Sequence, residues 1–295
     1  MAWDPIPPEV RGRLRALRIG SRRAAAGRGF GLHRSRERGA GLEFVQYRSY
    51  EPGDEPRRID WKLYARSDRL FVREAERESP LTVWVLIDTS ASMAQADGAR
   101  PGWSRLDAAK ALAACMFEIA LAQGDPFGMA LAGGDGLTLL PPAAGIRQRD
   151  RLLLALRGAV AAGKLPGEER LAPLWQRTGP EDVVIALGDF FDPAAAVLLE
   201  RLAATRREVL AIELLTAEER DFPFVDGRLF RDPETGEELP GDGPAMREGF
   251  LERFGAARRA LAARFDAAGI RHATYVIDEP LERPLRRLFG AAERA

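Results

Sequence analysis

Cysteine and histidine are scarce in this sequence, which has one cysteine, Cys115, and two histidines in 295 residues. A single cysteine cannot form an internal disulfide, so we expect a reducing compartment. Cys115 lies within an apolar run, residues 111–117, which predicts a small buried thiol. Long uncharged stretches are also lacking, because Glu118 and Asp125 interrupt the longest candidate before the roughly 20 residues that span a bilayer. The first residues do not resemble a secretory signal, and together these features predict a cytoplasmic protein with no transmembrane segment.

Two common catalytic motifs are missing as well. The sequence contains no Gly-x-Ser-x-Gly nucleophile elbow and no complete Gly-x-x-x-x-Gly-Lys-Ser/Thr phosphate loop, so any nucleotide hydrolysis would belong to a partner. His33 lies in an arginine-rich region and His272 opens a predicted strand. Both histidines are interpreted as surface or packing residues rather than catalytic bases.

Positive charge is concentrated at the N-terminus although the net charge of the chain is zero. Residues 1–38 form an arginine-rich arm in which Leu14, Leu17 and Ile19 interleave with arginine, giving a weakly amphipathic pattern. We interpret the arm as a solvated helix that lies against the body of the protein or docks onto an acidic partner. An anionic membrane surface or a nucleic acid is the alternative, but no nucleic-acid-binding motif accompanies the arm and none is expected as a partner.

From residue 81 to residue 295, apolar runs alternate with segments of helical periodicity. This order predicts an α/β domain with a doubly wound, mostly parallel sheet of the Rossmann type. Ser104 and Asp107 predict a capping box at the start of a long helix that ends at Gly124. The predicted strands are residues 81–87, 127–132, 137–140, 182–187, 208–214 and 271–277, and the other predicted helices are 147–161, one beginning at Pro193, and 244–268.

Two segments do not fit this alternation. Residues 39–80 are rich in turn formers, and Ile59-Asp60-Trp61-Lys62 alternates apolar and polar side chains as a strand does. Residues 222–240 contain a turn, residues 232–236, between short strand-like pieces. We expect the two segments to pack together as a small β-rich subdomain.

A cluster of oxygen-bearing side chains follows the first buried strand. Asp88, Ser90 and Ser92 share one short loop, and Asp189 follows another buried strand. Because the carboxyl ends of parallel strands meet at one edge of a sheet, these four residues are predicted to form a metal site. Oxygen ligands favour a hard cation such as Mg²⁺. The structural alternative is that Asp88 and the serines only cap the following helix and tie the loop.

The Asp88-x-Ser90-x-Ser92 spacing after a buried strand resembles the motif of von Willebrand factor A domains. The resemblance implies that the loop holds Mg²⁺ or Mn²⁺, and that a threonine from a third loop completes the site. This chain departs from the pattern there, because Thr138 precedes the expected loop and residues 141–147 contain no threonine.

A second motif lies upstream, within residues 39–80. It is long and composition-rich, and it contains Tyr47, Arg48, Tyr50, Asp54, Arg57, Asp60, Trp61 and Lys62. This run closely resembles the characteristic segment of the domain of unknown function 58 family, which is von Willebrand factor A-like. The resemblance implies a MoxR-type AAA+ ATPase as partner, in chaperone-like maturation of other proteins. We interpret the segment as structural, with the aromatics filling a small core while Arg57, Arg58 and Lys62 pair with Asp54 and Asp60. Direct partner contact by the eight residues is the alternative.

A phosphatase of the haloacid dehalogenase type would also place an aspartate after its first strand. That chemistry needs a second carboxylate two residues after the nucleophile, and this chain has Ser90 there. We therefore predict a non-enzymatic cytoplasmic adaptor with a von Willebrand factor A-like domain. A metal-dependent phosphatase-like hydrolase is the alternative.

Overall fold

A computed structural model describes residues 3–20, 43–51, 54, 56–76, 80–134 and 136–290. The chain divides into two compact units, the α/β unit (Met1–Arg28 with Leu81–Ala295) and the signature unit (Gly29–Pro80). Among the described residues, no helix combines the length and the apolar content needed to cross a membrane.

The strands are β1 (Glu43–Ser49), β2 (Phe71–Glu76), β3 (Val83–Asp88), β4 (Phe127–Gly133), β5 (Gly136–Ala143), β6 (Val183–Gly188), β7 (Glu208–Leu215), β8 (Gly227–Arg231), β9 (Glu238–Asp242) and β10 (Arg271–Val276). The α-helices are α1 (Pro8–Leu14), α2 (Trp61–Ser67), α3 (Arg105–Gln123), α4 (Ile146–Gly158), α5 (Glu168–Arg177), α6 (Pro193–Ala204), α7 (Ala217–Asp221), α8 (Gly243–Ala267) and α9 (Glu282–Phe289). Short 3₁₀ turns cover Pro56–Arg58 and Ala91–Ala94.

A six-stranded sheet forms the centre of the α/β unit, in the order β10-β7-β6-β3-β4-β5. All neighbouring strands run parallel except the β4–β5 hairpin, which is antiparallel. The predicted doubly wound, mostly parallel α/β fold is therefore confirmed. β3 lies in the middle of the sheet, so the carboxyl ends of β3 and β6 are neighbours, as the site prediction requires.

Helices cover both faces of this sheet, and the strands are apolar on both sides for that reason. Successive side chains of β3 alternate between the two layers, with Val83, Val85 and Ile87 facing one and Trp84 and Leu86 facing the other. The first layer contains α1, α3, α4 and α9, and the second contains α5, α6 and the end of α8. α3 is buried along almost its whole length.

Helix ends follow the local sequence closely. The Ser104 hydroxyl accepts a hydrogen bond from Asp107 N, the Asp107 carboxylate accepts one from Ser104 N, and Gly124 ends α3 in the left-handed conformation with φ of 76°. Asp192 caps α6 by accepting a hydrogen bond from Ala194 N at 2.8 Å. The predicted capping box, the predicted end of α3 at Gly124 and the predicted start of α6 at Pro193 are confirmed.

The described part of the N-terminal arm belongs to the α/β unit. Val10, Leu14, Leu17 and Ile19 are buried in the same apolar layer as α3. The side chain of Gln123, at the end of α3, accepts a hydrogen bond from Ile19 N at 2.8 Å and donates one to Ile19 O at 2.9 Å. This segment therefore lies against the body of the protein, which is one of the two arrangements that the sequence predicted for the arm, and four of its apolar side chains are buried there. The rest of the arm, including residues 21–38, lies outside the described residues.

The β8–β9 hairpin also belongs to the α/β unit. Phe230 of β8 contacts the rings of Phe222 and Phe224 at 5.8 and 5.4 Å between centroids, and Phe222 contacts Phe250 of α8 at 4.5 Å. The expected subdomain of residues 39–80 with 222–240 is corrected by this packing. The two segments form separate two-stranded sheets, and the phenylalanine cluster holds the hairpin against α8.

In the signature unit, β1 and β2 pair as antiparallel strands, with Ser49 opposite Phe71. The predicted strand over residues 59–62 is wrong beyond Ile59, because Asp60 is the N-cap of α2, which begins at Trp61. The Asp60 Oδ1 atom accepts hydrogen bonds from Lys62 N and Leu63 N at 2.9 and 3.0 Å. The same short sequence is compatible with a strand, because its side chains alternate, and with the start of a helix, because aspartate is a common N-cap. The capping hydrogen bonds of Asp60 show that it forms the start of a helix.

Cys115 is fully buried in the middle of α3, as predicted. Burial raises the pKa of its thiol to about 12, so almost no thiolate exists at neutral pH. We expect no labelling of the native protein by a maleimide at pH 7 and complete labelling after denaturation, both measured by intact mass. Rapid labelling of the native protein would contradict the described packing of α3.

Candidate functional site

The Asp88 loop begins where β3 leaves the sheet. Asp88 is buried, and its Oδ1 atom accepts a hydrogen bond from Ser90 N at 2.8 Å, so the carboxylate folds back over its own loop. Thr89 N donates to Ala132 O at 2.7 Å and continues the pairing with β4 for one residue. The loop is therefore held by the backbone on both sides.

The Ser90 and Ser92 hydroxyls lie side by side, with their Oγ atoms 3.1 Å apart. Ser90 is buried and Ser92 is partly exposed. Two neighbouring ligands in an octahedral Mg²⁺ shell are about 3 Å apart, because each oxygen is about 2.1 Å from the ion. The hydroxyl pair has the separation that such a shell needs.

Burial raises the pKa of Asp88 to about 6, while hydrogen bonds from Ser90 lower it and the charges of Asp189 and Glu234 raise it further. A small cavity beside Asp88 explains the cost of ionising the carboxylate, since apolar side chains such as Leu165 and Phe190 line it. Asp88 thus changes charge just below neutral pH.

Asp189 follows β6 and reaches the same place. The two loops pass so close that a Cβ atom on Gly188 would be 3.0 Å from the Asp88 Cβ atom. Asp189 is buried; its Oδ1 atom accepts a hydrogen bond from Phe191 N at 3.2 Å, and its Oδ2 atom faces a buried arginine. The structure brings the two predicted aspartates together at the carboxyl edge of the sheet.

The buried arginine is Arg105, the first residue of α3, with 2% of its surface exposed. Its Nη1 atom donates to Asp189 Oδ2 at 3.0 Å and to Ser92 O at 3.1 Å, and its Nη2 atom donates to the Glu219 carboxylate. The guanidinium also lies 5.1 Å from the centre of the Phe191 ring. The sequence does not single out this residue, because an arginine in the first turn of a helix gives no local signal of burial.

A second ion pair, besides that of Arg105 with Asp189, connects Arg258 of α8 to β7 and β10. Arg258 Nη2 donates to Glu213 Oε2 at 2.5 Å and to Thr274 Oγ1 at 2.7 Å. Burial raises the pKa of Glu213 to about 7, although the charge of Arg258 lowers it. Around the strand ends, carboxylates outnumber guanidinium groups; the carboxylates are those of Asp88, Asp189, Glu213 and Glu219, and the guanidinium groups are those of Arg105 and Arg258.

The third loop at the site is residues 159–164, after α4. Ala162 N donates to Thr89 O and Ala91 N donates to Gly163 O, both at 2.9 Å. This loop therefore contacts the Asp88 loop through its backbone and carries no threonine. Gly158 and Gly163-Lys164 have part of the spacing of a phosphate loop, but the segment connects two helices and continues with leucine.

Three of the four predicted metal residues, Asp88, Ser90 and Ser92, present oxygens from one loop and fit a hard cation by donor type and spacing. Asp189 fits less well because its Oδ2 atom is engaged by Arg105. Within the described ranges, no group of three or more histidine, cysteine, aspartate or glutamate side chains is arranged to hold a metal ion. Any cation here would rely on hydroxyl oxygens.

The candidate partner residues in the signature unit divide into two sets. Arg48 donates to both carboxylate oxygens of Asp54, at 2.8 and 3.0 Å, and Tyr47 Oη donates to Asp60 Oδ2 at 3.1 Å. Asp54 is therefore engaged by Arg48, and Asp60 is engaged by Tyr47 and by the α2 cap. The expected pairing of Arg57, Arg58 and Lys62 with Asp54 and Asp60 stays a prediction, because the side chain of Arg58 lies outside the described residues. Tyr50 is partly buried.

The outward-facing set lies on and before α2. Trp61 is 59% exposed and its ring meets the ring of Tyr64 edge to face, with centroids 6.1 Å apart. Lys62 and Arg57 are also exposed, and no residue of α2 is buried. This aromatic and basic surface fits partner contact better than core formation.

His272 is not placed to activate Ser90. His272 is the second residue of β10, at the amino end of a strand that runs parallel to its neighbours, whereas the Asp88 loop lies at the carboxyl ends. Its imidazole lies near Asp266 and Phe265. His33 lies outside the described residues.

Comparison with known proteins agrees with the resemblance of both motifs. The family model "protein of unknown function DUF58" matches residues 46–260. The uncharacterized protein Rv1480 of Mycobacterium tuberculosis and the uncharacterized protein Mb1516 of Mycobacterium bovis are each 31% identical to this chain over 275 residues, which cover 88% of this chain and 82% of the relative.

Among solved structures, the protein is similar to the hypothetical protein BatB of Bacteroides thetaiotaomicron, with 16% identity, a TM-score of 0.38 and coverage of 64% of this chain and 98% of the other. It is also similar to the SpRpn10 VWA domain, with 13% identity, a TM-score of 0.42 and coverage of 71% and 94%. The family model covers most of the chain, and the mycobacterial relatives align over most of their own length. The chain therefore belongs to the DUF58 family, whose function is unknown.

Proposed function

We propose that this protein is a non-enzymatic cytoplasmic adaptor whose Asp88 loop engages a partner through a divalent cation. The observation that carries the proposal is the convergence of the Asp88 carboxylate and the Ser90 and Ser92 hydroxyls at the carboxyl edge of the sheet. α/β sheets bind their ligands at this edge. The lone buried thiol of Cys115 favours a reducing compartment.

Mg²⁺ or Mn²⁺ is the proposed cation. Asp88, Ser90 and Ser92 would hold it directly, and Asp189 would contribute charge from the outer shell because Arg105 engages it. The buried carboxyl groups of Asp88 and Asp189 at the strand ends favour the binding of positive charge. When bound, the cation supplies a bridge between the loop oxygens and an acidic side chain of the partner.

The proposed partner is a MoxR-type AAA+ ATPase, which would supply the nucleotide hydrolysis that this chain lacks the motif for. The support is the family resemblance, together with the exposed surface of the signature unit around Trp61, Tyr64 and Lys62. An exposed tryptophan beside basic side chains is a common anchor at protein interfaces.

A catalytic role for the loop has little support in its geometry. The Ser90 hydroxyl is hydrogen-bonded to Ser92, and no histidine faces it among the described residues. The position two residues after Asp88, where a phosphatase of the haloacid dehalogenase type needs an acid, holds Ser90.

Affinity purification of the tagged full-length chain from its own host tests this proposal. We expect an AAA+ ATPase to co-purify in the presence of Mg²⁺ and to be lost with Asp88→Ala, with Trp61→Ala or with a chelator. Leu154→Ala is the matched control, because Leu154 is 71% exposed on α4 and belongs to neither site. The adaptor proposal fails if no AAA+ ATPase is recovered and none is encoded nearby, or if a phosphatase screen finds turnover that Asp88→Asn abolishes.

A further inference from the structure

Arg105 engages the carboxylate of Asp189, which would otherwise be free to bind a metal as the second carboxylate of the site. The guanidinium contacts three groups that belong to different loops: the carboxylate of Asp189, the backbone carbonyl of Ser92 and the carboxylate of Glu219. Because it is almost fully buried, its charge is poorly screened by water. It therefore places a buried positive charge next to the Asp88 loop, which contains Ser92.

The anchor of Arg105 on the far side is rigid. Glu219 closes the capping box of α7, with its Oε2 atom accepting a hydrogen bond from Thr216 N at 2.9 Å while its Oε1 atom accepts from Arg105. Asp97 also holds the start of α7 in place, since its Oδ2 atom accepts a hydrogen bond from Ala217 N at 2.5 Å. Arg105 cannot swing away from Asp189 without breaking the hydrogen bond to a fixed acceptor.

We propose that Arg105 is a positioning residue that keeps Asp189 out of the first coordination shell and so holds the cation affinity of the Asp88 loop low. This inference rests on the proposed cation site and gives a specific cause for the low cation affinity of that site. The guanidinium lowers the cation affinity in two ways. It engages the Asp189 oxygen that faces it, and it places a positive charge beside the bound cation. The loop then depends on an acidic group from the partner to complete the shell.

The inference predicts an unusual direction of effect, in which removal of a buried, well-bonded side chain strengthens binding. Mn²⁺ titrations of the full-length chain at pH 7.5, followed by the electron paramagnetic resonance signal of free Mn²⁺, measure it. We expect Arg105→Gln to bind Mn²⁺ roughly tenfold more tightly than the wild type, because one carboxylate is gained and one repulsive charge is lost. Arg105→Lys keeps the charge and should stay close to the wild type.

Two further variants separate this role from a structural one. Asp189→Asn in the wild-type background should change Mn²⁺ affinity by less than about twofold, since Asp189 is an outer group there, and this variant serves if Arg105→Gln does not fold. In the Arg105→Gln background, the same substitution should remove the gain. A merely structural role for Arg105 would weaken binding in Arg105→Gln instead.

The outcomes also distinguish the inference from the proposed function. If wild-type binding depends on Asp88 but Arg105→Gln binds no more tightly, or if Asp189→Asn alone weakens binding tenfold, the inference is overturned and the cation site stands. If only Arg105→Gln shows binding that Asp88→Ala removes, the inference stands and the wild-type cation proposal fails. If no variant binds Mn²⁺, both are overturned.

Discussion

Replacement of Gly133 by alanine is expected to destabilise the protein by roughly 3 kcal/mol and to displace the Asp88 loop. A Cβ atom at Gly133 would lie 2.3 Å from the carbonyl carbon of Thr89 and 2.4 Å from its oxygen. These are backbone atoms, so the contact cannot be relieved by rotating a side chain. The end of β4 and the loop would have to separate, which weakens the hydrogen bond from Thr89 N to Ala132 O.

Gly136 offers a matched control in the same hairpin. A Cβ atom there meets no atom within 4 Å, so Gly136→Ala should change the free energy of unfolding by less than about 1 kcal/mol. Urea denaturation followed by circular dichroism measures both variants. Equal stabilities for Gly133→Ala and Gly136→Ala would show that β4 and the Thr89 backbone are not in contact.

Truncation of Trp84 to alanine should cost about 3 to 5 kcal/mol, the largest loss of stability that we expect from one side chain. Trp84 is 1% exposed near the start of β3 and packs in the second apolar layer with Leu174, Leu199 and Leu202. Its removal leaves a cavity between the sheet and the helices. Thermal and urea unfolding of the variant measure the loss.

Trp84→Phe separates packing from hydrogen bonding at the same position. The indole Nε1 atom donates to Asp182 Oδ2 at 3.1 Å, and that oxygen also accepts a hydrogen bond from Gly179 N at 2.7 Å. The acceptor stays satisfied without the indole, so we expect Trp84→Phe to cost only about 1 to 2 kcal/mol. A cost as large as that of Trp84→Ala would mean that the hydrogen bond, rather than the packing, dominates.

Much of the α/β unit could be predicted because its signals are local. The apolar strands around β3 and β6, the capping box at Ser104 and the left-handed Gly124 are all determined by neighbouring residues. α5 and α9 were not predicted. Each contains a proline, Pro173 in α5 and Pro284 in α9, and proline within a short pattern argues against a helix unless tertiary packing supports it.

Long-range packing explains the other differences in the fold. The β8–β9 hairpin packs near α8 because Phe222 contacts both Phe230 of the hairpin and Phe250 of α8. Nothing in the sequence of the hairpin indicates this neighbour. Likewise, Leu14 and Ile19 show amphipathic character in the sequence, but only the position of α3 shows which surface they cover.

At the candidate site, strand order could be used to place Asp88 and Asp189 together, because both follow buried parallel strands. Arg105 could not be identified in this way, because its importance comes from contacts with Asp189 and Glu219, which are 84 and 114 residues away in sequence. The third loop, residues 159–164, was missed for the same reason, since only backbone hydrogen bonds connect it to the Asp88 loop.

The central claim is that the Asp88 loop binds a divalent cation, and one titration tests it most directly. Mn²⁺ binding to the wild type and to Asp88→Ala is compared at pH 7.5 and again at pH 5. We expect saturable wild-type binding that is lost in Asp88→Ala and weakened at pH 5, because the Asp88 carboxyl, with its pKa of about 6, is then mostly protonated. Indistinguishable titrations for the two proteins at pH 7.5 would contradict the claim.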